Sequence, residues 1–240
     1  MQPFKGTSKQ RWDAAEAGVG TKLVPTPEQA NWPAKRQLML DTDDNTVHVN
    51  HMRFIDLAGS ERVGKTGAEK KMEIYGDFQC PDTKAAWLSV IDPLLRQHKD
   101  HLSIVFHPFP LPYHHSAFDA AQAAMYIAAE LPDLPFANVA SALFHVQESY
   151  QTDAPANISQ RTVFSEKLAP VAVHLGIAKS TFVAHMRNSD SSNHQARVAW
   201  KYGAARGVYG TPTFAIDSVI DGALAAWSLE DWESWLATPP

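Results

Sequence analysis

The residue of this chain best suited to covalent chemistry is its one cysteine, Cys80. It follows an apolar stretch, Met72–Phe78, and precedes Pro81, whose missing N–H does no harm in the first turn of a helix. Where a helix begins, free N–H groups and the helix dipole favour a thiolate, which is the nucleophilic form. The position therefore predicts a reactive thiol, whereas the alternative is an inert cysteine that packs as a small apolar side chain.

Three histidines lie in a proline-rich segment after another apolar stretch, Leu102–Phe106: His107, His114 and His115. If that stretch is a strand parallel to the one before Cys80, both strands end at the sheet edge where ligand sites collect. We predict that a histidine approaches the thiol, with His114 binding substrate; the alternative is a surface loop. The histidines match no zinc spacing, so we predict no metal site.

The elements around these residues follow the order β-α-β, then a block of helices, then β-(β)-α. Met72–Phe78 and Leu102–Phe106 are predicted strands on either side of a helix, Lys84–His98, and such a unit makes the strands parallel. Five helices are predicted in the block: 116–130, Phe136–Ser149, Thr162–Leu175, Ser180–Arg187 and Ser192–Arg206. The chain closes with a strand, a turn and a helix at Thr211–Ile216, Asp217–Gly222 and Leu229–Leu236.

Two separated segments resemble those of one family. Phe78-Gln-Cys80-Pro-Asp-Thr83 resembles the active-site segment of DsbA-like thioredoxin-fold oxidoreductases, and Val208–Phe214 resembles their cis-proline loop. The likeness covers about residues 72–236 and implies an α/β thioredoxin fold. In that fold a helical insertion, at about 116–206, separates the βαβ unit from a C-terminal ββα unit. We place this domain at 71–240 and predict that residues 1–70 form a largely irregular extension.

The resemblance also assigns roles to individual residues. It implies that the peptide bond before Pro212 is cis, that the backbone of Thr211 binds an extended substrate, and that Pro212 and Pro81 shape the substrate groove. Without Cys80, the segment around Thr211 would predict only a turn that enters an edge strand. The family has a second cysteine where this chain has Thr83, which we predict to act in catalysis by a hydrogen bond to the thiolate.

The lack of a second cysteine limits the chemistry. Attack of Cys80 on a disulfide gives a mixed disulfide that no internal thiol can resolve, so a self-contained dithiol enzyme is excluded. We predict a thiol–disulfide oxidoreductase that uses one cysteine and no resident cofactor, with glutathione as co-substrate. Thiol-conjugating chemistry, as in the similar kappa-type glutathione transferases, stays open. The alternative is a redox-inactive module that binds peptides or partners through the groove at Thr211 and Pro212.

Composition bounds the partners and the compartment. The formal net charge is -5 and the isoelectric point is near 6.1, so we expect neither nucleic acid nor membrane as a partner. The expected partners are thiols, disulfide-containing peptides or proteins, and glutathione. The first residues, Met1–Arg11, lack an apolar leader segment, and on that ground we expect a cytoplasmic location.

One stretch before the first predicted strand matches motifs of unrelated proteins without the context that these motifs need. Gly59–Thr66 satisfies the Walker A pattern, but too few residues separate it from the strand at Met72 for the helix that a phosphate loop must open. The surrounding Ile55–Glu69 resembles the switch II region of kinesin motors over this length alone. We predict neither a motor nor a nucleotide site.

Overall fold

The structure, a computed structural model, describes residues 61–64, 68–151, 158–188 and 190–238. Most of the predicted irregular extension, and both ends of the Walker A stretch, lie outside the described residues. Within the described ranges, no helix has the length and apolar character needed to cross a membrane.

A mixed sheet forms the centre of the domain. Its five strands are β1 (Glu61–Gly64), β2 (Lys70–Gly76), β3 (Leu102–Pro108), β4 (Thr213–Ile216) and β5 (Val219–Ile220), in the order β1-β3-β2-β4-β5. β2 and β3 run parallel, as the predicted βαβ unit requires, and the other pairs are antiparallel. Both parallel strands therefore end at the same edge of the sheet.

The helices follow the predicted order. They are α1 (Pro81–Ala86), α2 (Asp92–His98), α3 (Ala117–Glu130), α4 (Phe136–His145), α5 (Gln160–Thr162), α6 (Ala169–His174), α7 (Lys179–Asn188), α8 (Asp190–Ala205) and α9 (Leu229–Ala237). Single π-helical turns join α1 to α2 and α5 to α6. The predicted helix at 136–149 ends early: α4 stops at His145, and a 3-10 turn, Gln147–Tyr150, follows it.

Strand alternation divides the side chains of β2 between two faces. Met72 and Ile74 lie in the large core, together with Trp87 of the βαβ crossover and Phe144 of α4. On the opposite face a smaller cluster contains Tyr75, Val105, Phe109, Leu111, Tyr202 and Val208. α8 covers this second face, and it approaches so closely that a Cβ on Gly203 would lie 2.6 Å from Phe109 Cδ2.

The sheet takes in residues before the domain start predicted at residue 71. β1 pairs antiparallel with β3, with Glu61 opposite Phe106 and Gly64 opposite Ser103. The sequence does not predict this strand, because Ile55–Glu69 resembles motifs of unrelated proteins. The strand also argues against a phosphate loop, since the inner residues of the Walker A pattern are extended and paired rather than wrapped around an anion.

Candidate active site

Cys80 lies where β2 gives way to α1. It is the residue that caps the N-terminus of α1, with extended backbone angles (φ -71°, ψ 122°), and its carbonyl accepts the first helical hydrogen bond from Lys84 N at 3.1 Å. Pro81 occupies the first turn, as the sequence predicts. The residue is 4% exposed, so the thiol is held inside a formed site.

The proline loop meets this thiol. The peptide bond between Thr211 and Pro212 is cis, and Cys80 Sγ donates a hydrogen bond to the carbonyl oxygen of Thr211 at 3.2 Å. These residues lie 131 positions apart in the sequence. The Thr211 hydroxyl is buried and has no hydrogen-bond partner among the described residues. The fold thus brings together the two segments on which the family resemblance rests.

Thr83 occupies the position of the family's second cysteine, one helical turn after Cys80. Its side chain is buried, and its hydroxyl accepts a hydrogen bond from Asp77 N at 3.5 Å. Its methyl group packs beside the backbone of Gly76. Among the described residues, the structure shows no hydrogen bond between Thr83 and the sulfur.

The histidines divide between the two faces of the sheet. His107 follows Phe106 on β3 and therefore points away from the large core; its Nε2 lies 3.0 Å from a carboxylate oxygen of Glu73. His114 Nδ1 contacts Asp77 Oδ2 at 2.7 Å, at the edge where Cys80 lies. The predicted approach to the thiol is therefore wrong for His107, whereas His114 reaches the segment that precedes the nucleophile.

Asp77, which sequence reasoning missed, connects the two loops at this edge. Its carboxylate accepts hydrogen bonds from Gln79 N at 2.7 Å and Leu111 N at 2.8 Å, in addition to the contact with His114. Burial raises the pKa of Asp77, although these donors oppose the shift. The segment before Cys80 and the histidine loop are thus fixed to one carboxylate.

Sequence reasoning also missed three residues that hold the backbone around Cys80, which we call the uncharged clamp: Gln79, Gln147 and Tyr150. Gln147 Nε2 donates to the carbonyls of Phe78 at 2.9 Å and Cys80 at 3.0 Å. The hydroxyl of Tyr150 donates to Phe78 O at 3.2 Å, and the Gln79 side chain accepts from Ser116 N at 2.6 Å and donates to the Tyr150 carbonyl. What these three residues share is burial, and no spacing in the sequence predicts that they are buried.

Metal chemistry has no support in the described part of the chain, where no group of three or more His, Cys, Asp or Glu side chains is placed to hold an ion.

Comparisons with known proteins agree with this geometry. A family model described as Thioredoxin matches residues 57–237. Among solved structures, oxidised BdbD from Bacillus subtilis is similar with a TM-score of 0.59 at 17% identity, covering 74% of this chain and 91% of that one. The thiol-disulfide exchange protein alpha-DsbA2 from Wolbachia pipientis gives 0.58 at 16% identity, covering 85% and 96%. A search of curated proteins found no match.

A third similar structure corrects the predicted compartment. It is a periplasmic thioredoxin-like protein from Salmonella enterica serovar Typhimurium, with a TM-score of 0.56 at 16% identity, covering 82% of this chain and 97% of that one. The prediction of a cytoplasmic location is therefore wrong. It rested on the lack of an apolar leader in the printed sequence, which does not determine where the protein works.

The comparisons also confirm the predicted fold class. The mixed sheet, the helical insertion between the βαβ unit and the closing ββα unit, and the matched region from 57 to 237 all agree with one assignment. The chain belongs to the thioredoxin family and has the DsbA-like form of its fold.

Proposed function

We propose that this protein catalyses thiol–disulfide exchange with Cys80 as its single reactive thiol and glutathione as the thiol that completes the cycle. The observation that carries the proposal is the 3.2 Å contact between Cys80 Sγ and the Thr211 carbonyl, made at the N-terminus of α1. A helix N-terminus supports the thiolate, and the proline loop opposite it offers backbone groups to a substrate.

The reaction takes place in two exchanges. The Cys80 thiolate attacks the glutathione sulfur of a peptide–glutathione disulfide; the S–S bond breaks, and the peptide sulfur leaves as a thiolate and takes up a proton. A second glutathione thiolate then attacks the glutathione bound to Cys80, which releases glutathione disulfide and restores the Cys80 thiolate. Overall one glutathione thiol is oxidised to glutathione disulfide, whose other half comes from the substrate, and the peptide sulfur is reduced to a thiol.

The carbonyl of Thr211 links proton loss to substrate binding in this proposal. In the resting protein it accepts the hydrogen bond of the Cys80 thiol. When the thiol loses its proton, that donor is gone, and the carbonyl becomes available to an N–H group of an extended substrate. Pro212 and Pro81 then form the two sides of the groove, and His114 lies at its edge through its contact with Asp77.

Turnover with glutathione and a peptide–glutathione disulfide tests the proposal. The native protein should exceed the rate of glutathione alone, and Cys80→Ser should fall to that uncatalysed rate because the nucleophile is gone. Thr83→Ser is the matched control, since it keeps a hydroxyl one turn away from an intact thiol. A Cys80→Ser protein as active as the native one would refute the proposal.

Restoring the second cysteine tests the single-thiol character. The first and fourth residues of a C-x-x-C segment at a helix start lie within the roughly 4.4–6.8 Å between Cα atoms that a disulfide needs. We therefore expect Thr83→Cys treated with glutathione disulfide to form an internal disulfide. The native protein and Thr83→Ser should retain a glutathione adduct, which mass spectrometry of the intact proteins distinguishes. A native protein without any adduct would contradict the mechanism.

The burial of Cys80, at 4% exposure, favours a second candidate, a redox-inactive module that binds peptides at Thr211 and Pro212. The same variants separate the two functions. If the protein is a binding module, the native protein and Cys80→Ser should bind an extended peptide with the same affinity. Turnover with either protein should be no faster than with glutathione alone.

A further inference from the structure

An ionisable cluster lies on the face of the sheet that α8 covers, away from the large core. One carboxylate oxygen of Glu73 accepts a hydrogen bond from the hydroxyl of Tyr75 at 2.9 Å and lies 3.0 Å from His107 Nε2. The rings of Tyr75 and His107 stack with 4.5 Å between centroids. All three side chains are buried, so a charge in this cluster needs a counter-charge close by.

The positive charge of Arg206 acts on this cluster. Burial alone would raise the pKa of Glu73, but His107, Arg206 and Tyr75 together lower it, so the carboxylate is ionised. Burial lowers the pKa of His107, although its hydrogen bond to Glu73 opposes the shift. The charge of Arg206, which directly follows α8, is one of the causes that hold the pKa of Glu73 low, after the contact with His107.

The guanidinium of Arg206 also links the two ends of a longer segment, 206–218, that contains the proline loop. One nitrogen donates to the hydroxyl of Tyr202 at 3.3 Å, and another donates to the carbonyl of Ser218. Ser218 is the second residue of the turn between β4 and β5, and both turn residues, Asp217 and Ser218, have positive φ. The bond from Arg206 to Ser218 thus closes a segment with Thr211 and Pro212 between its ends.

The middle of this segment has few ties to the sheet. Val208 N donates to Gly203 O at 3.1 Å, which anchors the start of the segment to α8. The ladder between β2 and β4 begins at Thr213, opposite Tyr75. Tyr209, between these anchors, is 94% exposed. The Thr211 carbonyl therefore lies in the short part of the segment between the Val208 anchor and the β2–β4 ladder.

We propose that Arg206 is a positioning residue that fixes Thr211 and Pro212 against Cys80 by closing the segment from 206 to 218. The proposal rests on the proposed function for its catalytic consequence, because a loosened loop matters only if it binds substrate. The hydrogen bonds of Arg206 given above reach Tyr202 and Ser218, and not Cys80, Thr211 or Pro212.

Amide hydrogen exchange tests the positioning role without any need for activity. In Arg206→Gln the amides of residues 207–211 and of the turn at 217–218 should exchange about tenfold faster, since the loss of a hydrogen bond to a charged group lowers the cost of local opening, while β4 stays protected by its ladders. The amides around Cys80, which the uncharged clamp holds, should stay unchanged. Arg197→Gln, at an exposed position on α8, is the control, and its exchange should match that of the native protein. Unchanged exchange at 207–211 and 217–218, or a uniform rise over the whole domain, would overturn the proposal.

Kinetics give an independent readout. With a peptide–glutathione disulfide, Arg206→Gln should raise KM about tenfold and leave kcat within about twofold, since it weakens the groove and not the thiol. An unchanged KM in an active Arg206→Gln protein would refute the positioning role alone. A native protein without turnover would refute the proposed function, and hydrogen exchange would still decide the role of Arg206.

Discussion

The two segments that meet at Cys80 Sγ are held by different chemistry. The segment before the thiol is fixed by the uncharged clamp, whose donors Gln147 and Tyr150 come from the 3-10 turn after α4. The proline segment is closed by Arg206, whose charge also helps to lower the pKa of a buried carboxylate, Glu73, on β2. The donors of the uncharged clamp do not titrate, whereas the cluster around Arg206 contains a carboxylate that does; Asp77, which also holds Gln79 N, is a separate contact outside the clamp.

This difference follows from what each segment lacks. The carbonyls of Phe78 and Cys80 are buried beyond the end of β2, where no neighbouring strand can donate to them, and amide or hydroxyl donors satisfy them at modest cost. The proline segment instead runs along the surface between α8 and β4 and needs a long side chain to span it. Arginine meets this need, since its fork of donors can bind two acceptors at once.

The largest expected effect comes from breaking the uncharged clamp. Gln147→Leu removes the donor that the carbonyls of Phe78 and Cys80 share; Tyr150 and the Lys84 amide still donate to them, so each of the two lost hydrogen bonds costs up to about 1.5 kcal/mol. We expect the free energy of unfolding to fall by about 3 kcal/mol in urea titrations, by the same amount at pH 5 and pH 7. Gln151→Leu, which removes a partly exposed contact with Gln147, should cost less than about 1 kcal/mol. Equal losses in the two variants would contradict the clamp.

Removing the buried charge should have a smaller effect that changes with pH. Glu73→Gln removes the carboxylate on which the charge of Arg206 acts, and we expect it to cost about 2 kcal/mol of unfolding free energy at pH 7. The surface variant Glu69→Gln should differ from the native protein by less than about 0.5 kcal/mol. A loss no larger than that of Glu69→Gln would show that the cluster does not depend on this charge.

The sign of the pH dependence follows from the two lowered pKa values. The pKa of Glu73 is about 2 in the folded protein, against an ordinary value of 4.5. At a pH between these two values the unfolded chain therefore binds a proton that the folded protein does not bind. The lowered pKa of His107 acts in the same direction below its ordinary 6.5. The contribution of Glu73 and His107 to stability should therefore fall as pH falls from 7 to 3. In Glu73→Gln the part of the fall below pH 4.5 should be missing, which urea titrations at several pH values can measure.

The smallest expected effect is that of Tyr150→Phe. Its hydroxyl donates to Phe78 O at 3.2 Å and Leu143 O at 2.9 Å, but Gln147 still serves the first of these carbonyls. We expect a loss of about 1 kcal/mol with no pH dependence between pH 5 and pH 8. Tyr113→Phe, at a side chain that is 66% exposed, is the control and should be neutral. A pH-dependent loss in Tyr150→Phe would remove the contrast between the two supports.

Much of the fold could be predicted because its signals are local. The apolar stretches that became β2 and β3, with a helix between them, require a parallel pair, and Pro81 after Cys80 marks the start of that helix. β1 was missed because its residues resemble motifs of unrelated proteins and carry no strand pattern of their own. The end of α4 was placed too late, since only packing decides that the chain tightens into a 3-10 turn at Gln147.

The sequence by itself determined that one thiol begins a helix after a strand, and that Thr83 leaves it without an internal partner. Those facts depend on residue type and order, which the chain carries locally. Only the tertiary structure decided that Cys80 Sγ meets the Thr211 carbonyl, that His107 serves Glu73 rather than the thiol, and that Gln147 and Arg206 hold the two segments in place. These contacts join residues far apart in the chain, and their donors and acceptors become committed only when folding removes water from them.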